Sequence, residues 1–205
     1  MTDVLRNDWA KDRRANFLSV ENTARQGRRP TGGTWSRPDL VTVGIKTYAY
    51  VPGKFLELTT FEVKPADVVN VQAVYEALAH RRSAIHSYVL LHVPSTSAAS
   101  LRETIDDVRG VARSHGIGLI VAGNAADYTT WEELEEAVRV EPDPDRLDTF
   151  VATQLSDLTK RARSLARCAD TPDQASSRYF KPAGRPRRAP RRVTAGPLSS
   201  ERRSR

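Results

Sequence analysis

A chain of 205 residues suffices for one well-cored domain, and no apolar run approaches the roughly 20 residues that a membrane span needs. Met1 to Arg14 lacks an apolar core, so no secretory signal is expected, and a single cysteine, Cys168, excludes an internal disulfide or a thiolate zinc cluster. The net charge of +7 is unevenly placed: Asp170 to Arg205 holds ten Lys/Arg against three Asp/Glu, Met1 to Arg37 eight against four, and the stretch between is mildly acidic. This is the profile of a cytoplasmic protein with neither membrane nor disulfide-linked partners, whose basic ends suit a polyanion such as nucleic acid.

Residues 1–30 read as a charged, partly helical lead, in which Leu5, Trp9, Phe17, Leu18 and Val20 form a loose apolar face. Pro30-Thr-Gly-Gly33 marks a loop. From Asp39 the chain turns to strand chemistry, with Leu40, Val41, Val43, Ile45, Tyr48, Tyr50 and Val51, and Pro52-Gly53 signals a turn into a hairpin. The next strand, from Phe55, should end near Lys64 because Pro65 lacks an N–H and restricts the residue before it. Asp67 is an apt N-cap for a helix reaching about Arg82, packed through Val71, Val74, Tyr75 and Leu78.

Ser87 to Val93 is a nearly continuous apolar run, as in a strand buried on both faces. A helix over about 98–114 and a short strand over 118–122 follow. Trp131 to Val138 reads as a short acidic helix with Glu132, Glu133, Glu135 and Glu136 on a solvated face, and Leu147 to about Arg167 as another helix. Beyond Cys168 large apolar residues almost vanish, so that tail is expected to be disordered. Alternating strands and helices imply parallel crossovers and an α/β fold: a mixed central sheet flanked by helices.

The chemistry-bearing residues sit at strand ends. Alternation puts Glu62 and Lys64 on one face of their strand and Phe61 and Val63 on the other. Asp39 opens the preceding strand region. Two carboxylates from neighbouring strands supply hard oxygen ligands suited to Mg²⁺ or Mn²⁺. A bound cation activates water, and an amine stabilises charge developing on a phosphodiester. The four histidines have no metal-ligand spacing and read as structural.

Pro38-Asp39, then Glu62-Val-Lys64 on a strand, then a helix and a buried strand, resembles the PD-(D/E)xK restriction-endonuclease-like superfamily. The longer runs Trp35-Ser-Arg-Pro-Asp39, Phe61-Glu-Val-Lys-Pro65 and Val74-Tyr-Glu-Ala-Leu-Ala-His-Arg-Arg82 resemble its small bacterial HrgA-like and Mrr-like proteins. The resemblance spans roughly Trp35 to Leu155. It implies a restriction-endonuclease-like nuclease domain over 31–168, between the lead at 1–30 and a disordered, basic Arg/Pro-rich tail at 169–205. It also implies an Mg²⁺- or Mn²⁺-dependent DNA endonuclease tied to restriction or phage defence. Asp39 and Glu62 would hold metal and Lys64 would be the catalytic lysine.

Gln72, and Glu21 as the glutamate that some members add from a preceding helix, are accessory candidates. Arg37, Arg81, Arg82, Arg187, Arg188, Arg191 and Arg192 are candidates for contact with DNA. Double-strand cleavage ordinarily needs two active sites, which makes a homodimer an expectation. The competing reading is a non-catalytic DNA-binding or interaction module of the same fold, whose basic tail docks on nucleic acid.

Overall fold

The computed structural model describes residues 1–24 and 37–161. Trp35, Cys168, the loop expected at 30–33 and the tail at 169–205 with Arg187, Arg188, Arg191 and Arg192 lie outside them. A helical lead comes first, α1 (Thr2–Val4), a π-helical stretch Leu5–Trp9 and α2 (Ala10–Asp12). Then follow β1 (Asn16–Asn22), β2 (Leu40–Lys46), β3 (Phe55–Pro65), α3 (Gln72–His80), β4 (His86–His92), α4 (Ser95–His115), β5 (Gly118–Ala122), β6 (Trp131–Glu135) and α5 (Pro144–Gln154).

The strands form one mixed sheet in sequence order, β1 to β6. β2 runs antiparallel to both of its neighbours, β1 and β3. β3, β4 and β5 are mutually parallel through the crossovers α3 and α4, and β6 returns antiparallel on β5. The expected α/β class with a mixed, helix-flanked sheet is therefore the observed one. No helix among the described residues is long and apolar enough to cross a membrane.

Strand alternation divides the core between the two faces of the sheet. On one face, Leu40, Phe61, Tyr88, Leu90 and Ile120 pack against Leu5 and Trp9 of the helical lead. Trp9 meets Phe61 and Tyr88 edge-on, with ring centres 5.4 and 5.9 Å away, the geometry that opposes a ring's positive edge to a negative face. On the other face, Val89, Leu91 and Leu119 pack under Ala73, Val74 and Ala77 of α3 and Val108 and Ala112 of α4. Val41, Val43 and Leu58 lie with Phe150, Val151 and Leu155 at α5.

Four local expectations are corrected. Phe17 to Val20, read within the lead, belong to the edge strand β1, because the open edge of β2 offers them a hydrogen-bonding partner. Residues 131–138 form no helix. β6 takes Trp131–Glu135, and its acids alternate between partners: Glu133 accepts from Tyr88 on one face, while Glu135 meets Arg109 and Arg113 of α4 on the other. Those guanidiniums, Arg113 foremost, hold the Glu135 carboxyl down at about 2. Glutamate's helix propensity yields here to tertiary pairing. α5 starts earlier than expected, at Pro144, where the Asp143 side chain accepts from the Asp145 and Arg146 N–H groups, and ends at Gln154. Finally, Tyr48, Tyr50 and Val51 lie beyond the end of β2 in an exposed connection to β3.

Candidate active site

Asp39 immediately precedes β2, and its N–H donates to the Phe61 carbonyl at 3.0 Å, extending the β2–β3 ladder by one residue. Because Leu40 faces Phe61 across that ladder, Asp39 falls opposite Glu62. Both side chains share the face occupied by Val41, Leu58 and Lys64. The Asp39 backbone is fixed from the other side, where the Thr23 N–H donates to its carbonyl at 2.9 Å and the Thr23 hydroxyl donates to the Pro38 carbonyl. Its Oδ2 accepts the Val63 N–H at 2.8 Å, which aims the carboxylate at the end of β3.

Glu62 and Lys64 lie two residues apart and form an ion pair, Lys64 Nζ to Glu62 Oε1 at 2.8 Å. The same ammonium sits 2.5 Å from Glu76 Oε2 on α3, and Gln72, one turn earlier, donates its amide to Glu76 Oε1 at 2.8 Å. His80, a further turn along α3 and buried, places Nδ1 3.9 Å from Glu62 Oε2. The site thus joins three elements: the approach to β2, the end of β3 and the sheet-facing side of α3.

Sequence reasoning did not find Glu76. The stripe expected on α3 was Val71, Val74, Tyr75 and Leu78, but Val71 and Tyr75 are exposed, while Ala73, Val74, Glu76, Ala77 and His80 are buried. The helix is turned so that two small alanines meet the sheet, and that turn carries Glu76 and His80 inward beside Glu62. The spacing 73, 76, 77, 80 fits a helical face as well as the expected set does. An acid and a histidine on that face were its only signal.

Electrostatics in this cluster follow from burial and crowding. Burial pushes the Glu62 carboxyl up to about 8, and its hydrogen bond with Glu76 adds to the rise against the pull of Lys64. Burial also raises Asp39, opposed by the Val63 N–H and Lys64 and reinforced by Glu76. For Glu76 burial acts upward too, but hydrogen bonds from Glu62, Lys64 and Gln72 outweigh it, so its carboxyl is lowered. Burial disfavours the Lys64 cation, yet its bonds to Glu62 and Glu76 prevail and raise it. Glu62 is thus the acid that holds a proton most readily and Glu76 the one that gives it up most readily, with the ammonium between them.

The donor chemistry suits a hard dication. Asp39 and Glu62 offer carboxylate oxygens from opposing positions, and each is held at a raised pKa that a cation would reverse. Among the described residues no group of three or more His, Cys, Asp or Glu is arranged to hold a metal ion. The pair would thus supply one or two protein ligands and leave other positions to water and phosphate, a common arrangement for Mg²⁺. No protein-family model matches this chain, and no curated protein or solved structure does either.

The remaining candidates are placed differently. Glu21 stands on β1, not on a helix, and its carboxylate accepts from the Ser156 N–H and hydroxyl and from the Thr159 hydroxyl, ahead of helical residues 157–161. Gln72 orients Glu76 and through it Lys64. Arg37 donates to Gln154 at the end of α5. Arg81 and Arg82 follow α3 at the end away from Gln72, lining with Arg146, Glu141 and Asp143 a groove of about 620 Å³. Arg81 also donates to the His115 carbonyl.

Proposed function

We propose that the chain is a metal-dependent DNA endonuclease of the PD-(D/E)xK type with a restriction-endonuclease-like fold. Asp39 and Glu62 would hold Mg²⁺ or Mn²⁺, and Lys64 would act at the scissile phosphodiester. The observation that carries this reading is the meeting of Asp39, Glu62 and Lys64 at the shared end of β2 and β3. When bound, the cation supplies a coordinated water of lowered pKa and neutralises charge on the phosphate.

The chain's own groups then have distinct tasks. The Val63 N–H fixes the Asp39 carboxylate, so this ligand is oriented before anything binds. The raised Glu62 carboxyl would become a ligand only where a positive charge favours its ionised form. Lys64 brings a positive charge to the oxygens on which negative charge develops in the transition state. Glu76, held by Gln72, steadies that ammonium from the helix side, independently of Glu62.

The test is conversion of supercoiled plasmid by purified protein. Mg²⁺ should support nicking or linearisation, EDTA should stop it, and Asp39→Asn should reduce it by at least about a hundredfold, as expected for loss of a ligand to a catalytic ion. Full activity in Asp39→Asn would overturn the assignment. One observation favours a second reading, a non-catalytic DNA-binding module: Lys64 is already engaged by two carboxylates. Oligonucleotide binding with no cleavage under any divalent cation would select it.

A further inference from the structure

β2 and β3 are joined by the connection from Thr47 to Lys54, whose surface is unusual. Tyr50 is 99% exposed, Val51 50% and Tyr48 45%. Exposed aromatic and apolar side chains gathered at one tip need a reason, since each forgoes burial elsewhere. The base of the tip is ordered. Tyr48 meets Phe55 edge-on with ring centres 5.5 Å apart, and the Lys46 ammonium lies 5.3 Å from the centre of the Tyr48 ring. Gly53, at φ +109°, makes the turn back into β3 in a conformation that L side chains rarely adopt. Tyr50 is thus held away from the body by a braced stem.

The charge of this segment is one-sided. From Leu40 to Leu56 there are two lysines, Lys46 and Lys54, and no Asp or Glu. An aromatic ring presented between lysines is the combination that binds unpaired nucleic acid: cations pair with phosphates and the ring stacks on a base. A second copy of the same tip is a poor partner, because a two-fold contact would bring four lysines together. The position is also apt. The ladder runs six residue steps from Leu40–Phe61 to Lys46–Phe55, about 20 Å at strand rise, so Lys46 at the base of the tip stands within one duplex turn of Asp39.

We propose that the β2–β3 tip, Lys46 to Lys54, is a nucleic-acid contact in which Tyr50 stacks on an unpaired base and Lys46 and Lys54 pair with the flanking phosphates. It takes its nucleic-acid partner from the nuclease reading but uses none of that site's residues. A polynucleotide held here would be gripped at a point separate from the acids, whose own charge repels it. The contact also favours substrates with a single-stranded or distorted segment, because a stacked duplex offers Tyr50 no free base face.

The experiment is a fluorescence-anisotropy titration of the full chain with labelled oligonucleotides, in EDTA so that cleavage plays no part. A duplex bearing a single-stranded gap is compared with the fully paired duplex. Tyr50→Ala should weaken binding to the gapped probe by about tenfold, the scale of one lost base stack, and change binding to the paired probe little. Lys46→Ala/Lys54→Ala should flatten the slope of log affinity against log salt by roughly 1.4 for single-stranded DNA. Thermal melts identify any loss of folding. Parental affinity in both variants would overturn the proposal, and so would binding of phosphatidylserine vesicles through Tyr50 without binding of DNA. Tyr50-dependent binding without any cleavage would leave this contact standing and remove the nuclease reading. Cleavage that is indifferent to Tyr50 would do the reverse.

Discussion

Glu62→Gln should stabilise the protein in alkali and leave it unchanged in acid. In the folded chain this carboxyl titrates near 8 against an ordinary 4.5, because it is buried and shares a hydrogen bond with Glu76. A folded-state pKa above the unfolded value means that the native state keeps a proton which the unfolded chain has already lost. Stability therefore falls as pH rises from about 4.5 to about 8 and is level above that. The full difference corresponds to about 5 kcal/mol at 1.36 kcal/mol per unit. Glu76 acts in the opposite sense but in a different window: its lowered carboxyl loses stabilisation only as pH falls below about 4.5, so it does not enter the comparison at pH 9. Glutamine recovers at most that difference at pH 9, and half of it, about 2–3 kcal/mol, already corresponds to roughly 5–10 °C in Tm for a chain of this size. Glutamine reproduces the protonated acid's bonding, accepting from Lys64 and donating to Glu76, so no new strain enters. Melts at pH 5.5 and pH 9 in EDTA measure the effect. A Tm difference between parent and variant that is the same at both values would show that Glu62 is not raised in the folded chain.

Three further outcomes follow from the same geometry. Glu21→Ala removes the acceptor for Ser156 and for the buried Thr159, and should cost about 2 kcal/mol by urea titration. Glu21→Gln should keep most of that stability and leave plasmid cleavage intact, whereas a metal-ligand role for Glu21 would show as lost cleavage. Glu76→Gln removes the carboxylate that holds Lys64 from the helix side, so turnover should fall about tenfold or more while oligonucleotide affinity is unchanged. An unaffected rate would remove Glu76 from the site.

Much of this arrangement was legible because strand alternation is a local property. The sharing of one face by Glu62 and Lys64, and the packing of Phe61 and Val63 on the other, follow from a period of two and a proline stop. The buried strand at 86–92 and the presence of a helix on either side of it were equally plain, but the first of these helices begins at Gln72 and is not capped by Asp67, which lies in a separate 3-10 turn. What escaped depended on distant partners. The rotation of α3 is decided by the close approach of Ala73 and Ala77 to the sheet, while Val71, Tyr75 and Leu78 imitate a core stripe. β6 exists because Tyr88, Arg109 and Arg113, all far away in sequence, receive its acids. β1 required the free edge of β2. The tip at Tyr50 looked like strand by residue type, and only its position beyond the last ladder pair separates it from β2.

The role proposed for Lys64 at the acid pair is tested by measuring cleavage and binding on one preparation of Lys64→Ala beside the parent. With Mg²⁺ the parent should convert supercoiled plasmid, and the variant should lose at least about a hundredfold in rate, the scale of one removed electrostatic contact to the transition state. In EDTA both should bind the same oligonucleotide with affinities within a few-fold of each other. Undiminished cleavage by Lys64→Ala, once contaminating nuclease is excluded by the inactivity of Asp39→Asn, would remove Lys64 from the chemistry.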